Sequence, residues 1–492
     1  MPVLQVTVKW SGKKFDAIEL DTDQPGLVFK TQLFSLTGVA PDRQKIMIKG
    51  GIVKDDTDFN KLGLKDGHSF MMMGTVGELP KVPTTATVFL EDMSDNQIAQ
   101  ALKIPAGLVN LGNTCYMNAT IQCLRAIPEL STALSALPAG SDGNTRLAAS
   151  LRDLLKNLSI SSDSITPLVF LQVLRLAYPQ FSQADNRGFM QQDAQECWSQ
   201  LVSSLKGAVP GLCLDGTANP DAKFVSQFLT GEMYSSIKCD ESDEPAQEGI
   251  ESFTDLTVNI GSGVSTYMMT DILNGLTEKI EKHSQALGRS AVHTKSRKIS
   301  RLPAYLAINF VRFQWKAQER IKAKILKKVK FPFELDISPC CTAELQEKLS
   351  PAKAHLKAVS DKKADAKKKR KAGSETEASQ KMDIDAAPQS DQVALMKDIG
   401  VDSSLIDDVG CNSSGVYDLV AVLTHVGRAA DSGHYIGWVK QDNSDEWWKF
   451  DDDKVSMVKQ DDITKLEGGG DFHTAYICLY TRKKLESLDQ IN

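Results

Sequence analysis

The chain has 492 residues, 41% hydrophobic and 24% charged, the make-up of an ordinary globular protein and too long for one compact core. Roughly three domains are expected from such a length. The net charge of −6 leaves no general basic footprint, which argues against a nucleic-acid partner. No stretch approaches the ~20 apolar residues that span a bilayer, and Met1 to Trp10 has no charged-then-apolar leader, so a soluble intracellular protein with no membrane role is expected.

Nine cysteines, an odd and scattered set with no Cys-x-x-Cys pair, suggest neither a disulfide framework nor a zinc ribbon. The adjacent Cys340 and Cys341 read as structural filler. A reducing cytoplasm leaves a catalytic thiol usable.

Residues 1–74 read as a small α+β domain. Leu4, Val6, Val8 and Trp10 alternate with polar residues, the period of a strand. A turn at Ser11-Gly12 leads to a second strand with Ile18 and Leu20 on one face. Pro25 can open a helix whose apolar face carries Leu33 and Leu36 and which stops at Gly38. Strands follow at 45–49 and 69–73, giving the β-β-α-β-β order of a β-grasp. The run Gly38-Val39-Ala40-Pro41-Asp42-Arg43-Gln44-Lys45-Ile46, followed by Lys49-Gly50-Gly51, resembles ubiquitin. The segment ends Met72-Met73-Gly74-Thr75, without the Gly-Gly tail that conjugation needs, so a fixed ubiquitin-like module is expected. Residues 75–103, with Pro80 and Pro83, read as a linker carrying a short helix near 93–102.

A second domain is expected over 104–482, followed by a C-terminal tail at 483–492. In Gly107-Leu108-Val109-Asn110-Leu111-Gly112-Asn113-Thr114-Cys115, glycines and asparagines form a turn, and Asn113 or Thr114 suits a helix N-cap. Met117, Ile121 and Leu124 then repeat as a buried helical stripe. Cys115 therefore lies in a first helical turn, where the helix dipole favours a thiolate. Asn110 can aim its amide at a developing oxyanion. The bland alternative is a space-filling buried cysteine.

Further along, Asp193 and Glu196 put two carboxylates on one helix face, able to pair with guanidinium groups or simply to sit as helix N-terminal charge. Residues 350–392 hold almost no large apolar side chains and are expected to be a disordered insert. Its basic run at 367–371 reads either as a nuclear import signal or as solvated charge. His434, after Ser432-Gly433, opens a strand beside a flexible turn and is a candidate base, or else a surface turn histidine. The following strand, Trp447-Trp448-Lys449-Phe450, ends in Asp451-Asp452-Asp453. One of these aspartates can orient the imidazole if the two strands pair, although residue chemistry does not rank the three. The alternating ligands of a calcium loop are missing.

The Cys115 segment, Gln191-Gln192-Asp193-Ala194-Gln195-Glu196, Leu302-Pro303-Ala304-Tyr305-Leu306 with Val311-Arg312-Phe313, Tyr417-Asp418-Leu419 with Gly433-His434-Tyr435, and Phe450-Asp451-Asp452 resemble, in order, the boxes of the ubiquitin-specific proteases. With the ubiquitin-like domain in front, the chain is most similar to the proteasome-associated branch of that family. The resemblance implies a papain-like thumb, palm and fingers cysteine protease that removes ubiquitin from conjugates. It assigns Cys115 as nucleophile, His434 as base, Asp451 as orienting acid, Asn110 as oxyanion donor and Asp452 as a helper at the oxyanion site. It further implies that Gln192, Asp193, Glu196 and Tyr435 hold the ubiquitin tail. No cofactor is implied. Many relatives bind zinc in the fingers through two Cys-x-x-Cys pairs, but here Cys239 stands alone, so no metal is expected. The implied partners are ubiquitin, ubiquitinated proteins and, through the ubiquitin-like domain, the regulatory particle of the 26S proteasome. Loops near 314–322 and 427–433 are expected to obstruct the tail channel until docking moves them. The implied location is the cytoplasm, with the nucleus open through the basic run. Rival readings are a catalytically silent ubiquitin-binding scaffold and a protease for another ubiquitin-like modifier.

Overall fold

The structure, a computed structural model, describes residues 3–49, 51–75, 104–138, 140–186, 188–260, 265–316, 321–372, 389–428, 432–441, 444–470 and 472–490. The expected linker, apart from its first residue, and its helix near 93–102 lie outside these residues. The chain divides into two compact units, Met1–Met93 and Ser94–Asn492.

In the first unit the alternation of apolar side chains becomes a five-stranded sheet. Strands β1 (Val3–Trp10) and β2 (Lys13–Asp21) form a hairpin, and Ser11 and Gly12 both take positive φ at its turn. Helix α1 (Gly26–Thr37) crosses to β3 (Lys45–Ile48), β4 (Gly51–Ile52) and β5 (Ser69–Met73). The strand order is β2-β1-β5-β3-β4, with β5 parallel to β1. Val6, Val8, Ile18, Leu20, Phe29, Leu33, Ile46, Phe70 and Met72 fill the core between sheet and helix. Leu36 departs from expectation: it is exposed, because the buried face of α1 runs through Phe29 and Leu33. Gly38 closes the helix at φ 70°, donating its N–H to the Phe34 carbonyl, a left-handed end that suits glycine.

The second unit begins with helices α2 (Cys115–Leu124), α3 (Pro128–Ser135), α4 (Gly143–Ile160) and α5 (Leu168–Ala177). A two-residue-stranded hairpin, β6 (Ala184–Asp185) and β7 (Gly188–Phe189), leads into α6 (Ala194–Ala208). A separate four-stranded sheet runs in the order β9 (Gln247–Phe253), β8 (Gly231–Cys239), β11 (Arg289–Arg301), β10 (Thr277–Ser284). The main sheet contains β12 (Tyr305–Val311), β13 (Val416–Val426), β14 (His434–Lys440), β15 (Glu446–Asp451), β16 (Lys454–Lys459) and β17 (Thr474–Arg482), running β12-β17-β13-β14-β15-β16 across its centre. Helices pack on one side of this sheet and form one core, while the other side forms a second. All ten residues of α2 are buried, more than the single stripe expected, because β14 covers its other flank: a Cβ on Gly437 would lie 3.2 Å from the Ala119 carbonyl.

The expected disordered insert is corrected in part. A helix, α7, spans Ala343–Ala372 despite an internal Pro351, and α8 spans Gln389–Asp398. Ala352 and Leu356, one turn apart on α7, pack with Ile406, Val416 and Leu485, and Val359 continues the buried line. Alanine and lysine favour helix, and one narrow apolar line suffices to dock it, so a low apolar content did not mean disorder here. The chain after 482 also joins this cluster through buried Leu485, with His355 bonded to the Glu486 carbonyl. The basic run at 367–371 falls in the last turns of α7.

Leu356→Ala is expected to cost about 2–3 kcal/mol, toward the lower end for leucine truncations, and to lower the denaturant midpoint of the catalytic unit. An unchanged midpoint would mean that α7 does not pack.

Candidate active site

The loop before α2 is held open for Cys115 by its own hydrogen bonds. The Asn110 side-chain oxygen accepts from the N–H groups of Gly112 (2.9 Å) and Thr114 (3.2 Å), and the Thr114 hydroxyl accepts from the Leu111 N–H (2.9 Å). Thr114, not Asn113, occupies the N-cap, and Asn113 takes a positive φ of 54°. Cys115 is thus the first residue of α2, at the end where the helix dipole is positive.

The base and acid come from neighbouring strands. His434 opens β14 and Asp451 closes β15, and these strands pair antiparallel with Gly437 opposite Phe450. That register sets Asp451 diagonal to His434, and the imidazole Nε2 lies 2.7 Å from Asp451 Oδ1. A carboxylate is the acceptor, so Nε2 carries the proton and Nδ1 is left for another partner. Lys449 pairs with the second oxygen of Asp451 at 3.1 Å. Burial pushes the Asp451 carboxyl up, but the bonds from His434 and Lys449 outweigh it and hold it below its usual range. His434, half-buried, is raised to about 9; its hydrogen bond with Cys115 is the largest influence, burial opposes it, and Asp451 adds to the rise. Sulfur, imidazole and carboxylate therefore meet.

Asp452 ties the loop to this hairpin. It takes a positive φ of 56° in the turn between β15 and β16, and its carboxylate accepts from the amides of Asn110 (2.8 Å) and Asn118 (2.9 Å). Its backbone carbonyl accepts from the Leu108 N–H at 2.9 Å. A Cβ on Gly107 would lie 2.7 Å from that carbonyl oxygen and 2.6 Å from the next, so only glycine permits the approach. Asn110 is oriented by both ends of its amide, with one N–H beyond the bond to Asp452.

The residues read as tail-binding lie at and just before the start of α6 and on β14. Asp193 is the N-cap of α6, accepting from Gln195 and Glu196 N–H groups, and the Tyr476 hydroxyl donates to both its oxygens at 2.8 and 2.9 Å. It thus fills the helix-terminal role that the sequence left open, with Glu196 partly exposed in the first turn. Tyr435 is 1% exposed and packs against His425 and Tyr476. Gln192 is buried beside the Met190 carbonyl. Its neighbour Gln191, which sequence reasoning missed, donates its amide to the Cys115 sulfur at 3.2 Å. Extended backbone sends adjacent side chains to opposite sides, so only the fold decides which glutamine meets the thiol.

Histidine-selective NMR is expected to show His434 titrating at about 9, and lower in Cys115→Ala, which removes the largest raising influence. Because folding raises this group above its ordinary 6.5, the stability it contributes is full below that pH and is lost as pH rises through about 9. An unchanged titration in Cys115→Ala would contradict the contact.

Comparison with known proteins adds ancestry to this geometry. Residues 106–480 match the ubiquitin carboxyl-terminal hydrolase family and residues 5–77 the ubiquitin family. Ubiquitin carboxyl-terminal hydrolase 6 of Arabidopsis thaliana is 43% identical, covering 96% of this chain and 98% of its own length. The protein of that name from Schizosaccharomyces pombe is 42% identical over 98% of this chain and all of its own, and ubiquitin carboxyl-terminal hydrolase 14 of Caenorhabditis elegans is 36% identical over the whole chain and 95% of its own. The solved SAGA Ubp8/Sgf11/Sus1/Sgf73 DUB module bound to ubiquitin aldehyde shares the fold, with a TM-score of 0.50 at 18% identity over 77% of this chain and 70% of that one. A match across most of the sequence and relatives alike from end to end establish that this chain belongs to the ubiquitin carboxyl-terminal hydrolase family.

Proposed function

We propose that the chain is a thiol-dependent deubiquitinase that cleaves the isopeptide bond after the last glycine of ubiquitin on conjugates, with Cys115, His434 and Asp451 as its catalytic set. The contact that joins the Cys115 sulfur to an imidazole already held by Asp451 carries this reading. With its proton already on His434, the Cys115 thiolate attacks the glycine carbonyl carbon, and the sulfur–carbon bond forms as the carbonyl π pair moves onto oxygen. The second amide N–H of Asn110 receives charge on the carbonyl oxygen, and Asp452 keeps that amide aimed. His434 then gives its proton to the lysine amine as the carbon–nitrogen bond breaks. Water, deprotonated by His434, releases the tail and regenerates the thiol. Gln191, bonded to the sulfur, steadies the thiolate before attack.

The ubiquitin-like unit supports docking on the proteasome regulatory particle, so that ubiquitin is removed where conjugates are degraded. The segments at 314–322 and 427–433 lie partly outside the described residues, and within them Phe313–Lys316 and Ile321–Lys324 pair as antiparallel strands where a loop was expected. The Lys324 N–H nevertheless bonds the Arg428 carbonyl at 3.0 Å, which supports their moving together.

In hydrolysis of a ubiquitin–fluorophore conjugate, Cys115→Ala is expected to abolish turnover and Asn110→Ala to lower kcat about 10²–10³-fold. Gln191→Ala is expected to lose about tenfold or more, from the ~1.5–3 kcal/mol of a hydrogen bond to a charged group. Full activity in Cys115→Ala would end the proposal. Added proteasome is expected to raise the wild-type rate, and an equal rate without it would remove the docking step.

A further inference from the structure

The carboxylate behind His434 has a second cation that the proposed chemistry leaves unused. On β15, Lys449 stands two residues before Asp451, so strand alternation puts both side chains on one face. The Lys449 ammonium lies 3.1 Å from Asp451 Oδ2, while His434 Nε2 holds Oδ1 at 2.7 Å. One carboxylate is thus shared, an oxygen each, between a lysine and the catalytic imidazole.

Lys449 is built into the sheet rather than laid over it. Trp438 stands directly opposite on β14, and the ammonium sits 5.7 Å from the centre of its ring, within reach of a cation–π contact. That ring is fixed in turn. It is buried, donates its N–H to the Thr424 hydroxyl at 2.9 Å and meets the edge of His473. The lysine side chain keeps 27% exposure, so its pair with Asp451 is screened less than one at the open surface.

The other titratable groups nearby do not share this role. Lys454, opposite Asp451 on β16, is exposed. His425 and His473 are neutral at ordinary pH, lowered to about 3 and about 4, chiefly by burial. Asp452 lies 4.0 Å from the imidazole and adds negative charge there, as the Cys115 thiolate does. Among the described residues, His434 and Lys449 are the cations that touch Asp451.

The consequence concerns the proton. A carboxylate bonded to the imidazole alone welcomes a proton onto His434 but resists its departure, and an acid–base group serves a reaction best when it can do both. The lysine charge offsets part of that hold, and the second bond keeps the carboxylate from turning. Resting on the deubiquitinase reading above, we propose that Lys449 is a positioning residue of the catalytic set. Seated on Trp438, it fixes the outer oxygen of Asp451 and moderates its charge, so that His434 releases its proton to the leaving lysine amine.

The test compares two substrates of the full-length chain, ubiquitin joined to a peptide lysine side chain and ubiquitin joined to a thiol as a thioester. A thiolate leaves without the proton that an amine requires, so a merely structural role would affect both alike. Lys449→Met is expected to lose about tenfold in kcat on the isopeptide at unchanged KM, and under about threefold on the thioester. Lys449→Arg, which keeps the charge, is expected to recover most of that loss. Histidine-selective NMR is expected to show His434 titrating about half a unit higher in Lys449→Met, roughly threefold tighter for its proton. Lys454→Met is expected to match wild type in both measurements. Equal losses on the two substrates, or a His434 titration unmoved in Lys449→Met, would overturn the role. A wild-type chain that cleaves neither substrate would overturn the deubiquitinase reading instead, and the titration would still decide for or against Lys449.

Discussion

The carboxylate of Asp452, held between two asparagine amides, is the interaction on which the active-site geometry depends. Asn110 belongs to the loop before the nucleophile, Asn118 to the helix behind it, and Asp452 to the hairpin that carries Asp451. With the Leu108 N–H on the Asp452 carbonyl, three bonds fix the thiol's loop and helix to the hairpin. Cys115 is consequently placed by the same turn that places the carboxylate behind His434. The positive φ of Asp452 and the bare Cα of Gly107 are the backbone conditions for this approach. A charge-assisted bond is stronger than a neutral one, and the one from buried Asn118 is shielded from water, which suits a junction that must not drift.

That junction explains how distant stretches of sequence can act as one site. The thiol loop lacks regular structure, yet it is held by bonds within itself and to Asp452, Ile165 and Phe189. The main sheet supplies the rigid frame: β14 backs α2 on one face and pairs with β15 along its edge, so nucleophile, base and acid inherit their spacing from strand and helix packing. The catalytic groups therefore need little reordering before attack.

Much of this was legible in the residues. The alternation of Val6 and Val8, the Ser11-Gly12 turn and the stop at Gly38 are local signals, and the first unit follows them. The Cys115 helix start was visible from its turn residues, whereas its all-round burial was not, because β14 arrives from far along the chain. Choosing among Asp451, Asp452 and Asp453 required register: one meets the imidazole and the next turns back to the asparagines. Gln191 against Gln192, the burial of Tyr435 and the approach of Glu244 and His293 to Cys239 are likewise matters of facing, which composition does not encode. The segment after 350 was misread because a sparse line of Ala352, Leu356 and Val359 is enough to dock a helix.

The most direct test is a ubiquitin whose C-terminal glycine is replaced by an electrophile, incubated with the intact chain and mapped by peptide mass spectrometry. The account predicts one adduct, on Cys115, that forms far more slowly in His434→Ala and is absent in Cys115→Ala. An adduct on any other cysteine, or unchanged labelling without the imidazole, would contradict it.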